Sequence, residues 1–258
     1  MCAANSTGRP VAGIGSGSAW AVPGKRNRYV INYSTNKKND QFGQEISFAT
    51  SESLYGPWVP AADVPAYHED GVHFKKGRWD TIMQFTHEGV MYGWWTATPA
   101  DGSVDFGYGT TTDGLHWTTL APARVHLTGL EGTQLEVGGV ARLPNGKWYA
   151  HACAIAWGHV SGLGGCFNVV SDAPGGPYNR TEKNWALLAY DAKDGIPAYF
   201  SRPFLGPDGI SLVNFIHTSA VGQLDCSTLH LFWWLVGDIA SSDLCFASLM
   251  RSTSSTGW

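Results

Sequence analysis

The chain has 258 residues, of which 43% are hydrophobic and only 15% charged, with a net charge of −4. Average globular proteins carry roughly 25% charged residues, and a mildly acidic chain with so few charges offers no basic surface for phosphates, so nucleic acid is excluded as an expected partner. No run approaches the ~18 apolar residues of a membrane span, so no membrane partner is expected either.

Runs at a helical period are missing, and Gly, Pro, Asn and Asp interrupt the chain roughly every 8–12 residues, an all-β rhythm. In chain order, strands are predicted over Tyr29–Ser34 and Glu45–Ser51, closing in Tyr55-Gly56-Pro57-Trp58. A second set covers Arg78–Phe85, Met91–Thr98 and Phe106–Thr112, closing in Asp113-Gly114-Leu115-His116-Trp117. A third covers Leu135–Leu143, Lys147–Ile155 and Cys166–Asp172, closing in Gly175-Gly176-Pro177-Tyr178. Tyr199–Phe204 with Ile210–His217 forms a fourth set, and Leu229–Val236 with Leu244–Ser252 a short fifth.

The same phrase therefore returns about every 60 residues, longer than the ~40–45 of a WD40 blade but alike in logic. Each time, a strand ends in Thr or Ser and leads through a polar turn to a glycine and an aromatic residue. The pattern predicts a single all-β domain over residues 1–258, a five-bladed β-propeller with an incomplete first or last blade. Residues 11–22 are the expected source of a closing strand. A β-sandwich would need far fewer strands and would leave the repeated phrase unexplained.

The chain is rich in aromatic residues, with 12 Trp and 10 Tyr. Flat rings suit the apolar faces of sugars, although most of them are expected to fill β cores. Five cysteines cannot all pair within one chain. Cys153 and Cys166 are placed to face each other across a hairpin, as are Cys226 and Cys245. Asn5-Ser6-Thr7, Asn32-Tyr33-Ser34 and Asn179-Arg180-Thr181 are formal N-glycosylation triplets. Met1-Cys2-Ala3-Ala4-Asn5 lacks the basic-then-apolar pattern of a secretory leader. Localisation stays open: an extracellular or periplasmic site would require a leader already removed.

In a propeller the first strand of each blade lines the axis, so polar residues there converge on a central pocket. Two carboxylates hold comparable places: Asp80 in Gly77-Arg78-Trp79-Asp80-Thr81 and Glu136 in Gln134-Leu135-Glu136-Val137-Gly138. Apolar neighbours predict a dry setting, which favours the protonated form that a general acid needs. Glycosidic cleavage commonly uses two such groups. Glu136, with the longer arm and the more apolar setting, is the candidate acid. Asp80 is the candidate base or modulator. A buried acid satisfied by backbone amides or an arginine is the competing reading for each.

The ordered series of segments resembles the five-bladed β-propeller glycosidases, glycoside hydrolase families 43 and 32 and their uncharacterised relatives. Tyr29-Val30-Ile31-Asn32-Tyr33-Ser34 and Phe48–Trp58 resemble the first blade, and Met91-Tyr92-Gly93-Trp94-Trp95-Thr96-Ala97-Thr98 the second. Glu136-Val137-Gly138-Gly139-Val140 with Gly146-Lys147-Trp148-Tyr149 resembles the third, and Tyr199-Phe200-Ser201-Arg202-Pro203-Phe204 the fourth. The likeness spans most of residues 15–235.

The resemblance implies a base or nucleophile on blade one, a pKa-tuning acid on blade two and a general acid on blade three. Asp80 matches the second and Glu136 the third. Where the first is expected, the chain has Gly15-Ser16-Gly17-Ser18-Ala19-Trp20 and no carboxylate. Three readings follow. Asp80 itself is the base; or Glu69 or Asp70, in Tyr67-His68-Glu69-Asp70-Gly71, reaches the pocket; or the chain is a non-catalytic carbohydrate-binding propeller.

Further pocket candidates are Trp79 and Trp20 as sugar platforms, Arg202 as a clamp and His217 near the axis. No cofactor is expected. Some relatives hold a central calcium beside a histidine, so a structural calcium at the axis is an open expectation. The expected substrate is a furanoside or a related small glycoside or oligosaccharide. A protein-interaction scaffold is a weaker alternative.

Overall fold

The computed structural model describes residues 11–37, 43–127, 134–155, 164–181, 186–190, 198–205, 212–218 and 229–234. Among the described residues there are strands, turns and bends but no helix. The first sheet is built in chain order from β1 (Val11–Ala21), β2 (Tyr29–Lys37), β3 (Gln44–Ser51) and β4 (Val59–Pro60). The second repeats the plan with β5 (Phe74–His87), β6 (Val90–Pro99), β7 (Gly107–Thr111) and β8 (Thr118–Thr119).

The third sheet contains β9 (Val125–His126), β10 (Gln134–Arg142), β11 (Trp148–Ile155), β12 (Gly164–Ser171), β13 (Tyr178–Arg180) and β14 (Ala186–Tyr190). Its main path runs β10-β11-β12-β13-β9, with β9 joining parallel to β13 and β14 pairing with β12. The fourth holds β15 (Ala198–Leu205), β16 (Leu212–Thr218) and β17 (Leu229–Trp234). Neighbouring strands within a sheet are antiparallel apart from the β9–β13 pair. Successive sheets meet through their first strands, β1 against β5, β5 against β10 and β10 against β15. That is the layout of propeller blades around a shared axis.

Two expectations change. Residues 11–21 form the first strand of the first sheet, paired along most of their length with β2, instead of closing the last blade. Leu229–Trp234 pairs with β16 and completes the fourth sheet instead of opening a fifth. Leu244–Ser252 lies outside the described residues.

The repeated phrase is a repeated structure. Gly56-Pro57 and Gly176-Pro177 are both cis, with the glycines at φ +85° and +87°, a conformation that side chains other than hydrogen rarely adopt. Behind the turns, apolar faces pack between sheets. Trp20, Val30, Ile46, Phe74, Trp79, Trp95 and Trp117 belong to one cluster between the first and second sheets. Trp94, Phe106, Leu135, Val137, Trp148 and Tyr178 belong to a second cluster, between the second and third sheets. Many rings meet edge to face, such as Trp79 and Trp95 at 5.1 Å between centroids and Trp20 and Trp117 at 5.9 Å.

Candidate active site

The site is assembled from bulges on two neighbouring first strands. Between Phe74 and Trp79, and again between Asp80 and Met83, β5 carries extra residues opposite β6. Such insertions bend a strand and re-aim its side chains. Thr98 fixes the first bulge by accepting from the Arg78 amide at 2.8 Å. The second bulge holds Thr81 at φ +45°, a strained backbone for a β-branched residue. On β10 the register shifts just after Val137, where Gly138 and Gly139 follow.

Strand alternation then sorts the side chains. Trp79 points into the core, fully buried against Tyr67, Phe74 and Trp95. Its neighbours Arg78 and Asp80 point the other way, and Arg78 Nη2 donates to Asp80 Oδ2 at 3.1 Å. Across the blade boundary the same nitrogen donates to Glu136 Oε1 at 2.5 Å. Leu135 and Val137 on either side of Glu136 lie in the core, so the acid alone faces the cluster.

The remaining donors and acceptors complete the frame. Arg78 Nε donates to Gln44 Oε1 at 2.8 Å, and Thr81 Oγ1 donates to Asp80 Oδ1 at 2.8 Å. Thr96, directly opposite Asp80 in register, accepts from the Val137 amide at 3.3 Å and so fastens the Glu136 strand to the second sheet. Burial opposes the charge of Arg78, but attraction to Glu136 and then Asp80 outweighs it and holds the guanidinium above its ordinary pKa. The cluster is partly enclosed: the side chains of Arg78, Asp80 and Glu136 are 22%, 14% and 9% exposed.

Asp80 and Glu136 are thus brought together on one arginine, the kind of partner that the competing reading of satisfied buried acids names. Asp70 is not part of this cluster. Its Oδ1 accepts from the Val72, His73 and Phe74 amides, and Oδ2 pairs with His73 Nδ1 at 2.7 Å. Burial raises the Asp70 pKa, but these hydrogen bonds, that to His73 foremost, bring it below the usual carboxylate value. Glu69 offers its backbone carbonyl to His68 in the same loop.

Trp79 and Trp20 do not line a pocket. Both are core residues, Trp20 packing edge to face on Trp117. Alternation explains Trp79, because a residue between Arg78 and Asp80 cannot share their face. Arg202 lies on β15 opposite Phe215, and His217 on β16 opposite Tyr199 and Leu229. Among the described residues no group of three or more His, Cys, Asp or Glu is arranged to hold a metal ion.

Ser18 stands in the stretch where a first-blade acid is expected. Its hydroxyl donates to the Ile82 carbonyl at 2.5 Å, so that place is used to join β1 to β5. A cavity of about 500 Å³ opens elsewhere, lined by Val22, Arg28, Thr50, Asp63, Asp113 and His116 among others. None of Arg78, Asp80 and Glu136 lines it, so the cluster and this cavity do not coincide.

Behind Glu136, the register places Cys153 directly opposite it and Cys166 opposite Cys153. Cys153 is disulfide-bonded. His151, two residues earlier, is fully enclosed and bonded to Asn168 at 3.0 Å, and burial pushes its imidazole pKa down to about 4.

No protein-family model and no curated protein matches the sequence. Solved structures do match. Levansucrase from Bacillus subtilis aligns with a TM-score of 0.61 at 14% identity, over 81% of this chain and 62% of its own. Endo-1,5-alpha-L-arabinanase from Thermotoga petrophila RKU-1 aligns with 0.60 at 13%, over 94% of this chain and 61% of its own. A thermostable family-43 glycoside hydrolase aligns with 0.52 at 17%, over 84% and 75%.

The fold is that of the five-bladed β-propeller glycosidases. This chain spans less than two thirds of the levansucrase and the arabinanase, and at such identities the likeness concerns architecture. Within the propeller, the Arg78–Asp80–Glu136 cluster bridges the first strands of two adjacent blades.

Proposed function

We propose that this propeller is a glycoside hydrolase acting on a furanoside or related small glycoside, with Glu136 as general acid and Asp80 as base or modulator of the acid. One observation supports the reading most: both carboxylates reach the same arginine nitrogen, at 2.5 and 3.1 Å. Their nearest oxygens therefore cannot lie farther apart than those two lengths end to end. That upper limit lies below the ~6.5–9.5 Å of inverting pairs and admits the ~5–5.5 Å of retaining ones.

In this reading Arg78 keeps two acids side by side without mutual repulsion. When a sugar enters, the Arg78 contact to Glu136 gives way, and Glu136 takes up a proton from solvent and passes it to the leaving oxygen as the glycosidic bond breaks. Asp80 stays on Arg78 and Thr81, ready to assist water or to stabilise positive charge at the anomeric carbon. A panel of chromogenic furanosides and pyranosides, assayed with wild type, Glu136→Gln and Asp80→Asn, tests the assignment. Turnover by wild type that is lost in both variants supports it, and equal turnover in all three discards it.

The absence of a carboxylate in Gly15–Trp20 favours a second reading, a carbohydrate-binding propeller without turnover. Calorimetry with the same sugars separates the two, since binding without hydrolysis belongs to the second alone.

A further inference from the structure

We infer that Asn32 is a positioning residue for Asp80, acting through a polar staple that joins the first two blades and holds the Thr81 backbone in its strained form. The inference deepens the proposed hydrolase and rests on it for its kinetic arm, but its structural arm stands without it.

Asn32 lies in the middle of β2 and is fully buried. Its Oδ1 accepts from the Ile82 amide at 2.9 Å and its Nδ2 donates back to the Ile82 carbonyl at 3.1 Å. The amide side chain thus gives Ile82 both contacts that a neighbouring strand would supply, at a place where β5 bulges from β6 and β1 is not paired to it. Nδ2 also reaches the Ser18 carbonyl at 3.0 Å and the Ser18 hydroxyl at 2.8 Å, while that hydroxyl donates to the same Ile82 carbonyl. A Cβ at Gly17 would collide with the Asn32 carbonyl, so β1 approaches this point closely only with glycine there.

What the staple holds is the residue next in line. Thr81, between Ile82 and Asp80, sits at φ +45° and directs its hydroxyl to Asp80 Oδ1. A β-branched residue keeps that conformation only when its surroundings over-determine it. Ile82, fixed on both backbone groups, supplies the constraint on one side, and the Asp80–Thr96 register supplies it on the other. Asn32 therefore acts on Asp80 through two residues, without touching the acid. Asn32-Tyr33-Ser34 is also a formal glycosylation triplet, and full burial with this bonding assigns its asparagine to structure instead.

Crystal structures and kinetics of Asn32→Ala and Ser18→Ala test the inference. Asn32→Ala is expected to let Thr81 relax to negative φ and to lose the Asp80–Arg78 contact while Glu136 stays on Arg78. On a substrate turned over by wild type, kcat should fall about 10²-fold with KM changed by less than about threefold, because displacing a reacting group by an ångström costs on that order. Ser18→Ala removes the Asn32 contact to the Ser18 hydroxyl but keeps both Asn32 contacts to Ile82, and should give a smaller loss of the same kind; it serves alone if Asn32→Ala does not fold. Thr81 still at positive φ with Asp80 still on Arg78 in the variant structure would overturn the inference. Wild type without turnover would instead count against the hydrolase, leaving the two structures to decide the role of Asn32.

Discussion

Arg78 gives one nitrogen to two acids from adjacent blades, lying 2.5 Å from Glu136 and 3.1 Å from Asp80. The pairing is made by strand bulges and not by sequence proximity, since Glu136 lies on a different sheet from Arg78.

Removing the cation should therefore be costly. Breaking a buried ion pair on one side costs about 3–5 kcal/mol. Arg78 is partly open to solvent, so Arg78→Met is expected to lose less, about 2 kcal/mol. Urea unfolding at neutral pH measures it, and adding Asp80→Asn and Glu136→Gln should recover most of the loss. A single variant as stable as wild type would mean the arginine does not hold the acids together.

Trp79 provides a check on what is core and what is pocket. Trp79→Ala is expected to destabilise by about 3–5 kcal/mol, as for other large buried aromatics. Trp79→Phe should be milder and leave sugar binding near wild type. Selective loss of binding in a Trp79→Phe protein of normal stability would return the residue to the pocket.

How much of this was legible beforehand divides by the range of the interactions. The strands around Glu136 and Asp80 follow from local alternation and turn residues, and the two acids are visible in the series of segments. The inward direction of Trp79 was also within reach, because Arg78, Trp79 and Asp80 are successive residues of one strand. The partnership of Arg78 with Glu136 and the staple of Asn32 with Ile82 depend on two blades meeting, and no local pattern encodes that. Leu229–Trp234 reads equally well as the last strand of one sheet or the first of the next, and only its pairing with β16 decides.

His151 gives a pH signature. Its imidazole is buried neutral with a pKa near 4, below the ordinary value of 6.5. Between those values the unfolded chain binds a proton that the folded chain does not, so stability is full above about pH 6.5 and declines as pH falls toward 4. The decline from this group is about 3 kcal/mol. His151→Gln should flatten the pH dependence of the melting midpoint across that window, and an unchanged slope would show that the histidine is not enclosed.

The disulfide at Cys153 should matter for stability near the acid, since Cys153 is the register partner of Glu136. Reduction with dithiothreitol is expected to lower stability by about 2–4 kcal/mol, read as a lower melting midpoint. A midpoint insensitive to reductant would contradict a bridge at this position.

The most direct measurement concerns the proton that Glu136 is proposed to deliver. An aryl furanoside with a strongly acidic phenol as leaving group needs no such proton, whereas an alkyl or sugar leaving group does. In Glu136→Gln compared with wild type on both kinds of substrate, a general acid at this position gives a loss of about 10³-fold or more on the second and a much smaller loss on the first. Equal losses on both, or none on either, would contradict a general acid at Glu136.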